Sequence, residues 1–309
     1  MNMTAVVILY NTCLIKSETL QSILVNKLQS INLTLKIWNN GPEYLKEEDI
    51  SKFFSFCLKS NINVDIFQDK RNVSLSKIYN LFITEENYDY ITILDQDSTL
   101  PEDFFANIFH EKKTDIIIPL IFSNTNEIIV QTHPYRLYDG KKIVTEGFIN
   151  QKIETVMSGI TLSSNFTEKI IKNWNFFFEE RLGFYGIDSD FFKKLNEMES
   201  LSKISICCKN RIHHSFALLD PNQSMTEFRK MELFYFKIFS RIAYQKKGPI
   251  STLWVTLRDF IRMKNNFITT YNLVMFVLRK RHPRSIYDIR NHHPTHSNIT
   301  IKHLHKEKN

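Results

Sequence analysis

The chain has 309 residues and a formal net charge of +7 at pH 7, long enough for one large α/β domain or two small ones. Only seven residues are glycine, and neither G-x-G nor G-x-x-x-x-G-K-[ST] occurs, which argues against a dinucleotide fingerprint and against a P-loop. The four cysteines form no C-x-x-C pair, which argues against zinc ribbons and disulfide scaffolds and suits a reducing cytosol.

In chain order, Ala5–Tyr10 reads as a buried strand, and Ser17 can cap a helix carrying Leu20, Ile23, Leu24, Leu28 and Ile31 on one face. Leu33–Trp38 is a second strand, ending in the turn Asn39-Asn40-Gly41-Pro42, and Val64–Gln68 is a third. Ser74 opens a helix with Leu75, Ile78, Tyr79 and Phe82 aligned, and Tyr90–Leu94 is a fourth strand running into Asp95-Gln96-Asp97-Ser98. Strands alternating with helices imply right-handed crossovers and a mostly parallel sheet. The ligand crevice of such a sheet lies beyond the carboxyl ends of its strands. Tyr10-Asn11, Asn39-Asn40-Gly41 and Asp95-Gln96-Asp97 should therefore gather on one rim.

Further along, Ile116–Leu120 and Val156–Leu162 read as strands, with hairpins or a long excursion over 121–150. Asp188-Ser189-Asp190 precedes a helical pattern over Phe191–Met198, and Ile204–Cys208 is a strand before His213-His214. Ser224-x-x-Glu227 has the form of a capping box for a helix with Phe228, Met231, Tyr235, Ile238 and Ile242 on one face. A second helical region spans Leu253–Leu278, and the basic, His-rich tail after about residue 282 reads as flexible. No signal peptide is expected from the N-terminus. The uncharged stretch Asn265–Leu278 has 14 residues, short of the roughly 20 of a spanning helix.

Charge divides the chain. Residues 1–228 hold 23 Lys+Arg against 29 Asp+Glu, whereas residues 229–309 hold 17 against 4, with six of the ten histidines. The expected organisation is a catalytic domain over 1–225 and a helical, basic extension over 226–309.

Asp95-Gln96-Asp97 is the sharpest chemical signal. Two carboxylates directly after a buried strand are costly to desolvate together. A Mg²⁺ or Mn²⁺ would stabilise them and would also take substrate phosphates as ligands; a solvated loop capping the next helix is the structural alternative. Asp188 and Asp190 form a second pair beside Phe184-Tyr185-Gly186. A carboxylate in such a partly apolar pocket can serve as a general base, or simply as a helix cap. An imidazole of His213-His214 could complete a metal site or be purely structural.

The order of these elements resembles family 2 glycosyltransferases of the GT-A fold, and most of all the rhamnosyltransferase-type members, in which a Leu-Asp-Gln-Asp-Ser run is typical. The resemblance covers residues 4 to about 240. It implies an α/β, Rossmann-like, mostly parallel sheet flanked by helices. It implies that Tyr10, Asn11 and Asn39 border the base and ribose, although Asn39 stands where the family usually has Asp. Asn72 and Lys77 would approach the nucleotide, Gly159 would line the donor site, and Asp95 would contact the ribose or a metal-bound water. Asp97 and His214 would ligate the metal. Asp188 would be the catalytic base, with Asp190 beside it on the substrate; Ile187 replaces the usual preceding Glu.

The implied reaction is inverting transfer of a sugar, with dTDP-rhamnose favoured over UDP-galactose or another UDP-hexose. The acceptor would be a polyprenyl-diphosphate-linked oligosaccharide in bacterial surface polysaccharide synthesis, such as O-antigen or capsule. The enzyme would be cytoplasmic and peripheral on the anionic inner face of the plasma membrane, with the basic C-terminal helices either in the interface or packed on the catalytic domain. No nucleic-acid partner is expected, because no RNA-binding module or helix-turn-helix pattern accompanies the charge. The rival readings are a metal-dependent phosphohydrolase and a non-enzymatic membrane-binding module.

Overall fold

A computed structural model describes residues 1–85, 87–111, 113–125, 128–137, 142–174, 177–198, 203–214, 226–262 and 267–298. The first half runs β1 (Asn2–Leu9), α1 (Glu18–Leu24), β2 (Asn32–Asn39), α2 (Glu47–Lys59), β3 (Asn63–Gln68), α3 (Leu75–Glu85), β4 (Tyr90–Asp95), β5 (Ser98–Thr99) and α4 (Phe104–His110). Then follow β6 (Ile116–Thr125), β7 (Ile128–His133), β8 (Tyr135–Arg136), β9 (Gly147–Phe148), β10 (Ile153–Glu154), β11 (Thr161–Ser163), α5 (Ser164–Trp174), α6 (Ile187–Glu197) and β12 (Ile206–His214). The last part holds α7 (Glu227–Ala243), α8 (Pro249–Arg262), α9 (Phe267–Arg279) and β13 (His296–Ser297).

One sheet has the order β13-β3-β2-β1-β4-β11-β6-β12-β5, with β7 added on β6 and β9 on β12. The long ladders β3-β2-β1-β4 and β6-β12 are parallel, and short antiparallel strands fill in around them. This is the expected mostly parallel α/β sheet flanked by helices. Helices cover both faces, so β1 has no solvent side and its sequence is a continuous apolar run. Ala5, Val7 and Leu9 enter one core layer, under α1, α2 and α4. Val6 and Ile8 enter the other, with α3, α5, α6, α7 and α9.

Local chemistry sets several boundaries. Ser17 caps α1 by accepting from the Leu20 N–H. The helix stops at Leu24 rather than continuing to Ile31, and the Asn26 amide turns back to donate to the Ser22 carbonyl. At α7 the cap is Thr226, which accepts from the Arg229 N–H; Ser224 of the expected capping box lies outside the described residues. The expected strand Val156–Leu162 is shorter, because Ser158 and Gly159 form a turn before β11.

The C-terminal segment is built into the molecule. Tyr235, Ile238 and Phe239 of α7 and Leu273, Phe276 and Val277 of α9 share the core layer of α3 and α6. A Cβ on Gly186 would meet the Phe236 ring at 2.0 Å, and one on Gly183 would meet the His282 ring at 2.5 Å. Two of the seven glycines therefore admit the C-terminal segment against the connection between α5 and α6. Beyond His282 the chain continues as an ordered strap up to Asn298, not as the flexible tail the composition suggested. His282 and Arg284 pair with the buried Glu232. His292 packs on Trp38 at 4.9 Å, and β13 adds antiparallel to β3. The buried Asn298 then accepts from the Val64 N–H at 2.7 Å and donates to the Ile62 carbonyl.

Candidate active site

The rim expected at the carboxyl ends of the strands forms. In register, Ile8 of β1 pairs with Asp95, and Leu9 with Asn39, which pairs in turn with Gln68. Asp95 closes β4, Asp97 sits in the turn to β5, and β12 runs antiparallel to β5 so that His214 faces Ser98. Side-chain ligand atoms of Asp95, Asp97 and His214 all lie within 4.8 Å of one another. The imidazole is 3.7 Å from Asp95 and 3.5 Å from Asp97. Burial pushes the Asp95 carboxyl up to about 6; the nearby His214 opposes this and Asp97 adds to it. Two carboxylates crowded in this way favour a cation between them.

Hydroxyls hold the cluster in place. Ser98 Oγ lies 3.0 Å from His214 Nδ1 and 2.8 Å from Ser158 Oγ, and Ser158 accepts from the Asp95 N–H. Gly159 is one step removed. Its backbone adopts φ +85° and its N–H donates to the Ile93 carbonyl, while Pro119 packs where a Cβ would be. Gly159 thus shapes the turn, and Ser158 touches the carboxylate strand. Gln96, between the two aspartates, clamps the exit of β1: its Oε1 accepts from the Tyr10 N–H at 2.7 Å and its amide donates back to the Tyr10 carbonyl. Tyr10 is exposed, and the next residue, Asn11, at φ 53°, donates its backbone N–H to the Gly41 carbonyl.

Asp188 lies in the first turn of α6, whose N-cap is Gly186 at φ 85°. The acidic pair therefore does not cap the helix. Burial raises the Asp188 carboxyl to about 6; the Ser189 N–H opposes the shift, and the Glu154 and Asp95 carboxylates add to it. Asp188 thus lies within electrostatic reach of Asp95. Asp190 is different. It is buried, ion-paired to Lys194 at 2.8 Å and hydrogen-bonded by the Tyr244 hydroxyl, contacts that tie α6 to the residue following α7.

Three residues expected to meet the nucleotide have other partners. The buried Asn39 amide donates to the Glu43 carbonyl and to Gln68 and accepts from the Gly41 N–H, closing its own turn. Asn72 accepts from Arg284 at 2.7 Å and from Asn40. Lys77 donates to the Tyr287 carbonyl at 2.6 Å, and burial lowers its pKa. The strap after His282 thus covers the Asn72–Lys77 side of the rim.

Sequence reasoning missed Glu154 and Tyr135. The two-residue ladder of β8 with β10 places them opposite each other, and Ser189 donates to Glu154 at 3.1 Å. Burial, then the Glu154 charge, raises the Tyr135 hydroxyl pKa. No periodicity marks so short a ladder. For Ser98 and Ser158 the only signal was proximity to Asp97 and Gly159.

No family model matches the sequence, and no curated protein is similar to it. Among solved structures, GalNAc-T7 with UDP, GalNAc and Mn²⁺ is similar at a TM-score of 0.51 and 12% identity. The match covers 79% of this chain and 51% of that one. The chain has the GT-A fold. S. aureus TarS 1-349 with UDP-GlcNAc is also similar, at a TM-score of 0.46 and 14% identity over 94% of each chain.

Proposed function

We propose that this protein is an inverting glycosyltransferase that takes a nucleotide-sugar donor. The observation that carries the reading is the convergence of Asp95, Asp97 and His214 at the carboxyl end of β4, with Asp188 within electrostatic reach of Asp95.

Two carboxylates and an imidazole within 4.8 Å are the hard oxygen and borderline nitrogen donors that suit Mg²⁺ or Mn²⁺. Asp97 and His214 would hold the ion, with Asp95 beside it. When bound, it neutralises the negative charge that grows on the departing nucleoside diphosphate. Ser98 and Ser158 fix the imidazole and the β4 terminus, so little reorganisation is needed at the moment of reaction. Tyr10 presents a ring edge or face to the base, and Gln96 holds that residue in place.

Asp188 removes the proton from the acceptor hydroxyl as its oxygen attacks the anomeric carbon. The bond to the diphosphate oxygen breaks on the opposite face, so a single displacement inverts the configuration. A pKa of about 6 leaves Asp188 unprotonated at neutral pH yet basic enough to accept that proton. On the resemblance in the Leu94-Asp95-Gln96-Asp97-Ser98 run, the donor is dTDP-rhamnose and the acceptor a polyprenyl-diphosphate-linked oligosaccharide of bacterial surface polysaccharide synthesis.

A thermal-shift screen tests the reading. It pairs dTDP-rhamnose, UDP-galactose, dTDP and UDP with and without Mn²⁺. Metal-dependent stabilisation by dTDP-rhamnose supports the full assignment, and stabilisation by UDP-galactose alone moves the donor to a UDP-hexose. If no nucleoside diphosphate stabilises the protein with the metal present, the transferase reading fails. Phosphate release that needs no acceptor would make it a phosphohydrolase.

A further inference from the structure

Helix α8 exposes apolar side chains where a surface helix usually buries them. On a surface helix the apolar stripe faces the core and the polar face meets water. Among the described side chains of α8, Thr252 and Thr256 are the buried ones and Leu253 packs partly against the core, whereas the outward face carries Ile250, Trp254 and Leu257 at helical spacing, with Ile250 86% and Trp254 62% exposed. Arg258 lies over the Trp254 ring at 5.4 Å, on that same face. On its neighbour α9, Leu273, Phe276 and Val277 enter the core, while Tyr271 and Leu278 are exposed two turns apart.

Beside these helices lies uncompensated positive charge. Lys246, Lys247 and Lys280 line one cavity with Ile242 and Val277, and Arg279, Lys280 and Arg281 line the next with Arg181. Among the described residues, none of Lys246, Lys247, Arg279, Lys280 and Arg281 has a carboxylate within 4.0 Å. Exposed aromatic and aliphatic side chains next to such cations complement one environment in particular. That environment has hydrocarbon below a layer of anionic headgroups, where Trp sits at the boundary and Lys and Arg reach up to phosphate. No described helix is long and apolar enough to cross a membrane.

We infer that the outward faces of α8 and α9, with the cations of the 246–247 and 279–281 segments, are a docking surface for an anionic lipid bilayer. The helices lie in the interface plane. Ile250, Trp254 and Leu257 enter the acyl boundary, while Lys246, Lys247 and Lys280 contact headgroup phosphates. The inference does not require the transferase reading.

The test uses the full chain with phosphatidylcholine vesicles, with and without phosphatidylglycerol. Trp254 is the exposed tryptophan, since Trp38 is fully buried and Trp174 half-buried, so its emission reports insertion. The expected result is a blue shift and co-sedimentation with the anionic vesicles only, weakened by salt. Each of Lys246→Gln, Lys247→Gln and Lys280→Gln should lower partitioning about fivefold. The double variant Ile250→Ser, Trp254→Ser should abolish sedimentation while its unfolding temperature stays at the wild-type value, because both side chains are already exposed.

Absence of binding to anionic vesicles by the wild-type chain overturns the inference. So does equal binding of the double variant. If the wild-type chain elutes as a dimer that the double variant breaks, and neither sediments, the face belongs to a second copy and the lipid assignment falls.

Discussion

Asp188 and Asp190, two residues apart, should separate when each is changed to Asn. The Asp188 carboxyl is raised from 3.8 to about 6, chiefly by burial. A folded-state pKa above the unfolded one means that the fold loses stability as pH rises through that window. At about 1.36 kcal/mol per unit, ionised Asp188 costs the fold about 3 kcal/mol at neutral pH. Asp188→Asn removes that cost and still accepts the Ser189 N–H, so the melting temperature in EDTA should rise by about 5 °C for a chain of this size. The same change removes the general base, and turnover should fall about 10²–10⁴-fold with donor binding intact. Asp190→Asn should do the reverse. It leaves the Lys194 ammonium and the Tyr244 hydroxyl against a neutral amide and lowers stability by about 2 kcal/mol, with transfer by the folded enzyme preserved. The assays are calorimetry at neutral pH in EDTA and initial-rate transfer with saturating donor. Turnover of Asp188→Asn within about tenfold of wild type, or a lower melting temperature, would refute the reasoning.

Three further outcomes follow from the same geometry. The rate at saturating donor should climb with pH along a limb centred near 6, the value of Asp188, because the unprotonated carboxylate is the active form; a flat profile between pH 5 and 7 would exclude it as the base. Asp97→Ala should abolish Mn²⁺ binding measured by calorimetry while leaving the circular dichroism spectrum unchanged, since its side chain is 44% exposed and lies in a turn. Gly186→Ala should destabilise by about 3 kcal/mol, from a left-handed φ of 85° and a clash with Phe236, and Phe236→Ala should restore only the clash component.

Much of the fold was legible because the central strands are covered on both faces, which writes AVVILY and YITIL as unbroken apolar runs. Asp95 and Asp97 were legible for the complementary reason: charge directly after such a run has no cheap structural explanation. The amides misled. Asn39 and Asn72 stand where ligand contacts are expected, but an Asn side chain also mimics backbone in turns, and that choice depends on partners such as Glu43 and Arg284 far from any local pattern. The strap was illegible because its composition is that of a disordered tail. Its order comes from non-local contacts, His292 on Trp38 and Asn298 on Val64. In α8 the buried Thr252 and Thr256 and the exposed Ile250 and Trp254 run against the usual rule, so hydropathy locates the helix but not its inward face.

The hydrogen bond between Val64 and Asn298 spans 234 residues of chain. At about 5–20 residues per second, a ribosome that has finished β3 takes about 10–50 s more to deliver the residues that cover its edge. During that interval the nascent sheet carries an open row of N–H and C=O groups, the arrangement that recruits strands from other chains. Yield in a heterologous host should therefore depend on translation speed and on chaperones that bind extended segments.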